Sequence, residues 1–140
     1  MKSKEMILAY IDAENISYRK ATKILNYIRK EGKSYDVRAY GRQKDQGTKG
    51  WSDVAKKSEI KDIRLYGKPE KNKVDKKIMK DMLRDIDKKD VSEVILVTSD
   101  GDYTKTVKGL CQQGVKVHVI GEKNKISKHL RKSGCKFIQI

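Results

Sequence analysis

The chain has 140 residues, of which 36% are hydrophobic, and its 34 lysines and arginines exceed its 19 acidic residues to give a formal net charge of +15. This length is typical of one globular domain, so we expect a single domain over residues 1–140. No apolar run approaches the length of a membrane span, and the N-terminal residues lack the apolar core of a signal peptide. Both observations argue against a membrane protein and favour the cytoplasm.

The excess of positive charge predicts a polyanionic partner, and nucleic acid is the usual one. The lysines are spread along the chain and not gathered in one tail, so a merely well-solvated lysine-rich surface stays open as an alternative. Cys111 and Cys135 are too few for a disulfide framework or a zinc site, and they fit reduced thiols in a cytoplasm.

Short apolar runs alternate with segments of helical spacing along the chain. The runs predict six β-strands: Met6–Ile11, Val37–Tyr40, Ile63–Tyr66, Val94–Val97, Val115–Ile120 and Phe137–Ile140. The helical segments predict helices over residues 21–28, 54–55, 74–86, 103–111 and 126–130. Two polar, basic segments, 41–52 and 68–73, are predicted to be exposed loops, with Trp51 anchoring the first. This alternation predicts an α/β fold with a central, mostly parallel sheet of five to six strands flanked by helices.

Two aspartates follow the most apolar strand. Val94–Val97 predicts a strand that is buried on both faces, and it leads through Ser99 into Asp100-Gly101-Asp102. Asp102 has an ordinary alternative role as the N-cap of the next helix. Asp100 has no such role in the sequence, and a second acid beside it adds repulsion. Because ligands bind at the carboxyl ends of strands in open α/β sheets, we interpret this turn as part of a functional site.

Other acids are predicted to reach the same edge of the sheet. Asp12 ends the first strand, which commonly lies next to the fourth, and Asp75 lies in the first turn of the helix that follows strand three. An acid in a first helical turn is ordinary by itself. Four carboxylates gathered without partners would repel one another, and a set of oxygen ligands suits Mg²⁺ or Mn²⁺. The joint location therefore predicts a metal site.

Three sequence blocks resemble the signatures of NYN domains, in particular the bacterial LabA-like group of PIN-like, metal-dependent ribonucleases. They are Ile11–Asn15, Lys73–Asp75 and Thr98–Tyr103, and the last is followed by the strand around Val115. The resemblance implies a three-layer PIN-like fold. It also implies catalytic, metal-binding aspartates, with Asn15 and Ser99 as orienting or substrate-contacting groups; carried onto this sequence, the aspartates are Asp12, Asp75, Asp100 and Asp102.

Asp81 matches a further aspartate of the family. It lies about 240° around the helix from Asp75, since each residue turns the helix by about 100°. We therefore do not expect Asp81 to share the site.

The expected activity is hydrolysis of an RNA phosphodiester with Mg²⁺ or Mn²⁺, and the resemblance implies products with a 5′-phosphate and a 3′-hydroxyl. Basic residues of the two loops are candidates for holding the RNA backbone, although each alone fits a solvated surface equally well. They are Arg42, Lys44, Lys49, Lys71 and Lys73. His118 and His129 are not needed for this chemistry, and we expect them to be structural.

Three other kinds of protein could carry acids in these positions. An EF-hand loop beginning at Asp100 is excluded, because its sixth position is Lys105 instead of Gly and its twelfth is Cys111 instead of Glu. A phospho-acceptor receiver domain would place an aspartate at the end of strand three, where this chain has Leu65-Tyr66-Gly67. A non-catalytic module that binds RNA or protein on a PIN-like scaffold stays open, although the intact acids disfavour it.

Overall fold

A computed structural model describes residues 6–42, 46–68, 70, 72–88, 91–122, 124–133 and 136–140, with all their side chains except those of residues 46–48 and 92. The strands are β1 Met6–Asp12, β2 Ser34–Arg42, β3 Ile60–Leu65, β4 Val91–Val97, β5 Lys116–Gly121 and β6 Lys136–Gln139. The α-helices are α1 Ala21–Arg29, α2 Gln46–Lys56, α3 Lys73–Lys88, α4 Thr104–Gln112 and α5 Lys128–Arg131. Single 3-10 turns precede α1 and α4, at Tyr18–Lys20 and Gly101–Tyr103.

The strands form one sheet in the order β3-β2-β1-β4-β5-β6, and every neighbouring pair is parallel. The predicted α/β fold with a central parallel sheet is therefore confirmed. The strand order reverses between β1 and β4, which pair from Ile7 with Glu93 to Ile11 with Val97. Their carboxyl ends consequently lie side by side, at the point where open α/β sheets bind ligands.

The core lies on both faces of the sheet, because successive side chains of a strand point to opposite sides. Ile7, Ala9 and Ile11 of β1 pack in one apolar cluster with α1 and with Trp51 of α2. Leu8 and Tyr10 pack in the other cluster with α3, α4 and α5. The described residues thus form three layers. None of the described helices is long and apolar enough to cross a membrane.

The prediction of a loop over residues 41–52 is wrong. Strand β2 continues to Arg42, and helix α2 begins at Gln46. The indole nitrogen of Trp51, which is fully buried, donates a hydrogen bond to the carbonyl oxygen of Ile16 at 2.7 Å. Gly50 lies against the Tyr18 ring, where a Cβ atom would collide. These contacts outweigh the low helix propensity of a glycine-containing segment.

A buried polar network holds α3 against the sheet. The Tyr10 hydroxyl donates to Asp85 Oδ2 at 2.8 Å, and Arg38 Nη1 donates to the same oxygen at 2.9 Å. One turn earlier in the helix, the Tyr40 hydroxyl donates to Asp81 Oδ2 at 2.8 Å. Since buried polar groups need partners, these bonds fix the position of α3 over β1 and β2.

We predict that Tyr10→Phe lowers the free energy of unfolding by about 1–3 kcal/mol, because it removes a buried hydrogen bond to a charged group. The matched control is Tyr35→Phe, since the Tyr35 hydroxyl binds Glu59 at the exposed surface. The control should change stability by less than about 0.5 kcal/mol. Urea denaturation measures both; equal effects would contradict a structural role for the Tyr10 bond.

His118 is buried near the amino-terminal end of the sheet. Its Nδ1 lies 2.8 Å from the Tyr27 hydroxyl, and its Nε2 lies 3.5 Å from Glu93 Oε2. Burial lowers the pKa of His118, and the Glu93 carboxylate opposes that effect. Because the folded protein holds the proton less tightly than the unfolded chain does, protonation of His118 destabilises the fold.

We therefore predict that protonation of His118 lowers the free energy of unfolding as the pH decreases below about 6.5, the ordinary pKa of histidine in an unfolded chain. His118→Asn keeps a polar atom near Tyr27 and removes the titration. Urea denaturation between about pH 7.5 and pH 5.5 should show the parent losing free energy of unfolding relative to this variant. Parallel pH profiles of the two proteins would show that His118 is not held neutral.

Candidate metal centre

Three of the predicted aspartates meet at the carboxyl edge of the sheet. Asp75 comes from the first turn of α3, and Asp100 and Asp102 come from the turn after β4. One carboxylate oxygen from each lies within 4.8 Å of the others. Oxygens that share a Mg²⁺ ion at 2.0–2.1 Å lie up to about 4.2 Å apart. The three carboxylates therefore lie near enough to hold one divalent cation once their side chains move closer together.

Asp12 lies beside this trio and not within it. It is 1% exposed, and its Oδ2 accepts hydrogen bonds from Asn15 Nδ2 at 2.7 Å, Thr98 Oγ1 at 3.0 Å and the Tyr103 hydroxyl at 3.4 Å. Its Oδ1 accepts from the backbone N–H of Glu14 at 3.2 Å. Burial raises the pKa of Asp12 to about 6, and the bonds from Asn15 and Thr98 oppose that rise. Asp12 thereby joins the ends of β1 and β4.

A cleft of about 260 Å³ opens at this edge. Its walls are Asp12, Glu14, Asn15, Arg42, Asn72, Val74, Asp75 and Asp100. Five of the predicted site residues therefore line one cleft, although they come from four separate parts of the chain. Asp102 reaches the same place through its proximity to Asp75 and Asp100.

Among the residues that the structure describes, none forms an ion pair with Asp75, Asp100 or Asp102. Burial raises the pKa of Asp75, and the negative charges of Asp100 and Asp102 raise it further. Burial also raises the pKa of the Tyr103 hydroxyl, and the negative charges of Asp12, Asp75 and Asp100 raise it further. A bound cation would reverse this electrostatic effect, because it favours the ionised form of each carboxylate.

The capping residue of the turn after β4 differs from the prediction. Asp100 Oδ1 accepts a hydrogen bond from the backbone N–H of Asp102 at 2.9 Å, so Asp100 is the N-cap of the 3-10 turn. Helix α4 itself follows Tyr103 and has no side-chain cap. The assignment of the capping role to Asp102 alone is therefore wrong. The 3-10 turn brings the first helical N–H groups forward by two residues, which moves the cap to Asp100.

The remaining predicted site residues make internal contacts. Ser99 Oγ accepts from the backbone N–H of Glu122 at 3.2 Å, which ties the end of β4 to the end of β5. Lys73 Nζ donates to the carbonyl oxygens of Tyr66 and Lys68. Arg42 Nε donates to Glu14 Oε2 at 2.5 Å, at the wall of the cleft. Lys49 is exposed on α2, whereas positions 44 and 71 lie outside the described residues.

Asp81 lies away from the cleft, as its angle on the helix predicts. It accepts a hydrogen bond from Tyr40, and its Oδ1 lies 3.0 Å from Lys77 Nζ and 3.2 Å from Arg84 Nη2. These contacts account for its buried carboxylate without a metal. Asp81 therefore acts in the attachment of α3 to the sheet.

Sequence reasoning missed four residues of the site. Thr98 is the first polar residue after β4, and Tyr103 looked like part of an apolar helix face, yet both bind Asp12. Glu14 adds another acid to the cleft. Asn72 lines it with a backbone φ of 62°, a left-handed conformation that asparagine tolerates. Of these four residues, only Thr98 carried a signal in the sequence, because it is a polar residue at the end of a buried strand.

The cap assignment predicts a difference between neighbouring aspartates in metal-free protein. Asp100→Ala should lower the free energy of unfolding by about 1 kcal/mol, whereas Asp100→Asn keeps the cap and removes one repelling charge. Asp102→Ala should change stability by less than about 0.5 kcal/mol, because it removes no cap. Urea denaturation in EDTA tests this. A larger loss for Asp102→Ala than for Asp100→Ala would return the capping role to Asp102.

Comparisons with known proteins agree with this fold. The NYN domain family matches residues 7–140. A solved structure from Vibrio parahaemolyticus, described as a protein of unknown function, superposes with a TM-score of 0.78 at 23% identity; the match covers 100% of this chain and 96% of that one. No curated protein matches significantly. The narrower LabA-like assignment stays a prediction. NYN domains are part of the PIN-like nuclease superfamily, and the match over nearly the whole chain shows that this chain belongs to the NYN domain family.

Proposed function

We propose that this protein is a ribonuclease that hydrolyses RNA phosphodiester bonds at the acidic cleft with Mg²⁺ or Mn²⁺. The observation that carries the proposal is the approach of Asp75, Asp100 and Asp102 to within 4.8 Å of one another in an NYN domain. Such a set of carboxylates is costly unless a cation is shared among them.

The donor set suits a hard cation, because all of its ligands are carboxylate oxygens. Asp75, Asp100 and Asp102 would hold the cation, with Asp12 adjacent in the same cleft. When bound, it would lower the pKa of a water molecule and offset the charge of the scissile phosphate.

The other residues of the cleft position the substrate in this proposal. Glu14 orients the Arg42 guanidinium at the cleft wall, and that guanidinium binds a phosphate of the RNA. The Asn15 amide group is held by Asp12 beside the same opening and contacts the substrate. Ser99 and Lys73 contribute indirectly, since their hydrogen bonds hold the surrounding loops together.

The charge of the whole chain supports a polyanionic substrate. A net charge of +15 attracts RNA over a long range, whereas the acids of the cleft would repel a phosphate without a cation. The two features are compatible if the basic surface gathers the strand and the cation admits its phosphate to the cleft. The family match over residues 7–140 supports a single domain as the unit of function.

We predict that the purified protein cleaves single-stranded RNA with Mg²⁺ or Mn²⁺ and does not do so in EDTA. Asp75→Asn, Asp100→Asn and Asp102→Asn should each lower the rate by roughly 100-fold or more, because each removes a charged ligand. The matched control is Asp87→Asn, a change of the same charge at an exposed position of α3. A cleavage time course with analysis of the product ends measures all four variants.

The same proteins should differ in metal-induced stabilisation. Mn²⁺ that binds only the folded state should raise the melting temperature of the parent and of Asp87→Asn, and much less that of the three cleft variants. RNA binding without cleavage under every metal condition would favour the non-catalytic module instead. Cleavage by Asp102→Asn at the rate of the parent would contradict the proposed role of Asp102 as a metal ligand.

A further inference from the structure

Tyr66 is the most exposed large hydrophobic residue in the described part of the chain, at 64% of its surface, against 48% for Leu83 and 38% for Tyr18. A single exposed aromatic ring is ordinary by itself. The position of this ring is what calls for an explanation, because it lies directly after β3 at the edge of the sheet that carries the acidic cleft.

The register of the sheet places Tyr66 next to a wall of the cleft. Leu65 pairs with Arg42 across strands that lie about 4.8 Å apart, and Tyr66 is the first residue beyond that pair. Arg64 Nη1 donates to the carbonyl oxygen of Arg42 at 3.0 Å, which fixes the two strand ends together. Arg42 itself lines the cleft.

The backbone of Tyr66 is tied to the helix that carries Asp75. Lys73 Nζ donates to the carbonyl oxygen of Tyr66 and, at 3.1 Å, to that of Lys68. The turn between them is made by Gly67, whose φ of +97° disfavours a side chain and whose Cβ would lie 3.2 Å from Lys73 Nζ. The ring of Tyr66 is therefore exposed to solvent, while its backbone is hydrogen-bonded to Lys73 in the first turn of α3.

On the opposite side of the cleft, internal hydrogen bonds join the segments that follow β4, β5 and β6. The backbone N–H of Ser127 donates to the carbonyl oxygen of Ser99 at 3.2 Å, and that of Ile140 donates to Gly121 at 3.0 Å. Gly101 packs against the Ser127 side chain, so that even a Cβ atom there would be crowded. These bonds hold the loops after β4 and β5 to one another.

We propose that Tyr66 stacks on a nucleobase of a single-stranded nucleic acid whose backbone passes Arg42 into the cleft. Exposed aromatic rings bind single strands in this way with little base preference, because every base has a π-face. A base within a duplex is already stacked on its neighbours and is not available to the ring. The direction of the strand rests on the proposed function, whereas the stacking contact is a binding property that does not require cleavage.

The test is the affinity of a short, fluorescently labelled single-stranded RNA, measured in EDTA so that no metal-dependent cleavage occurs. Tyr66→Ala should weaken binding by roughly 5- to 100-fold, whereas Tyr66→Phe keeps the ring and should stay within about twofold of the parent. Leu83→Ala is the matched control, since Leu83 is also an exposed apolar residue but lies elsewhere, on α3. Its affinity should equal that of the parent, and thermal melts confirm that each variant folds.

An RNA of the same length with abasic nucleotides identifies the contact. The parent and Tyr66→Ala should bind this probe equally, because it carries the phosphates and lacks the bases. Equal binding of normal RNA by the two proteins, an equal loss on both probes, a Tyr66→Phe variant as weak as Tyr66→Ala, or no binding by the parent would each overturn the proposal.

The two proposals fail separately. A protein that binds RNA through Tyr66 but never cleaves it would contradict the ribonuclease and leave the stacking site intact. A protein that cleaves RNA with metal, while Tyr66→Ala binds and cleaves like the parent, would contradict the stacking site and leave the ribonuclease intact.

Discussion

The buried carboxylate of Asp12 holds the centre of this molecule together. An ionised group out of contact with water is stable only if its oxygens accept hydrogen bonds, and those of Asp12 accept from Glu14, Asn15, Thr98 and Tyr103. These donors belong to the loop after β1 and to the segment after β4. One side chain therefore connects the ends of β1 and β4, between which the strand order reverses, and it also lines the cleft.

The acidic trio depends on a scaffold that is rigid for other reasons. Asp75 is carried by α3, and that helix is attached to the sheet through Asp81 and Asp85, which accept hydrogen bonds from Tyr40 and Tyr10. Apolar packing on both faces of the sheet adds to this attachment. The repulsion among Asp75, Asp100 and Asp102 is thus imposed by the fold. Acids held close together in this way favour the binding of a cation.

The whole chain and the cleft carry charge of opposite sign. The chain as a whole is strongly basic, whereas the cleft is acidic and contains Arg42 as a cationic wall residue held by Glu14. A polyanion is attracted by the first feature from a distance, and its entry to the cleft is governed by the second. The two rims of the cleft also differ: internal bonds join the segments after β4 and β5, whereas the residue after β3, Tyr66, is exposed.

Sequence alone determined the fold class and the location of the acids. Parallel strands point the same way, so residues that follow them must meet at one edge, and Asp12, Asp75 and Asp100 do line one cleft. Tertiary structure decided what each of them does there. That Thr98 and Tyr103 bind Asp12, that Asp100 caps a 3-10 turn, that Lys73 holds the carbonyl oxygen of Tyr66, and that Trp51 stabilises a helix within a polar segment all depend on geometry. Apart from the local cap, these contacts join residues that local patterns do not connect, and even the cap follows from a turn type that periodicity does not reveal.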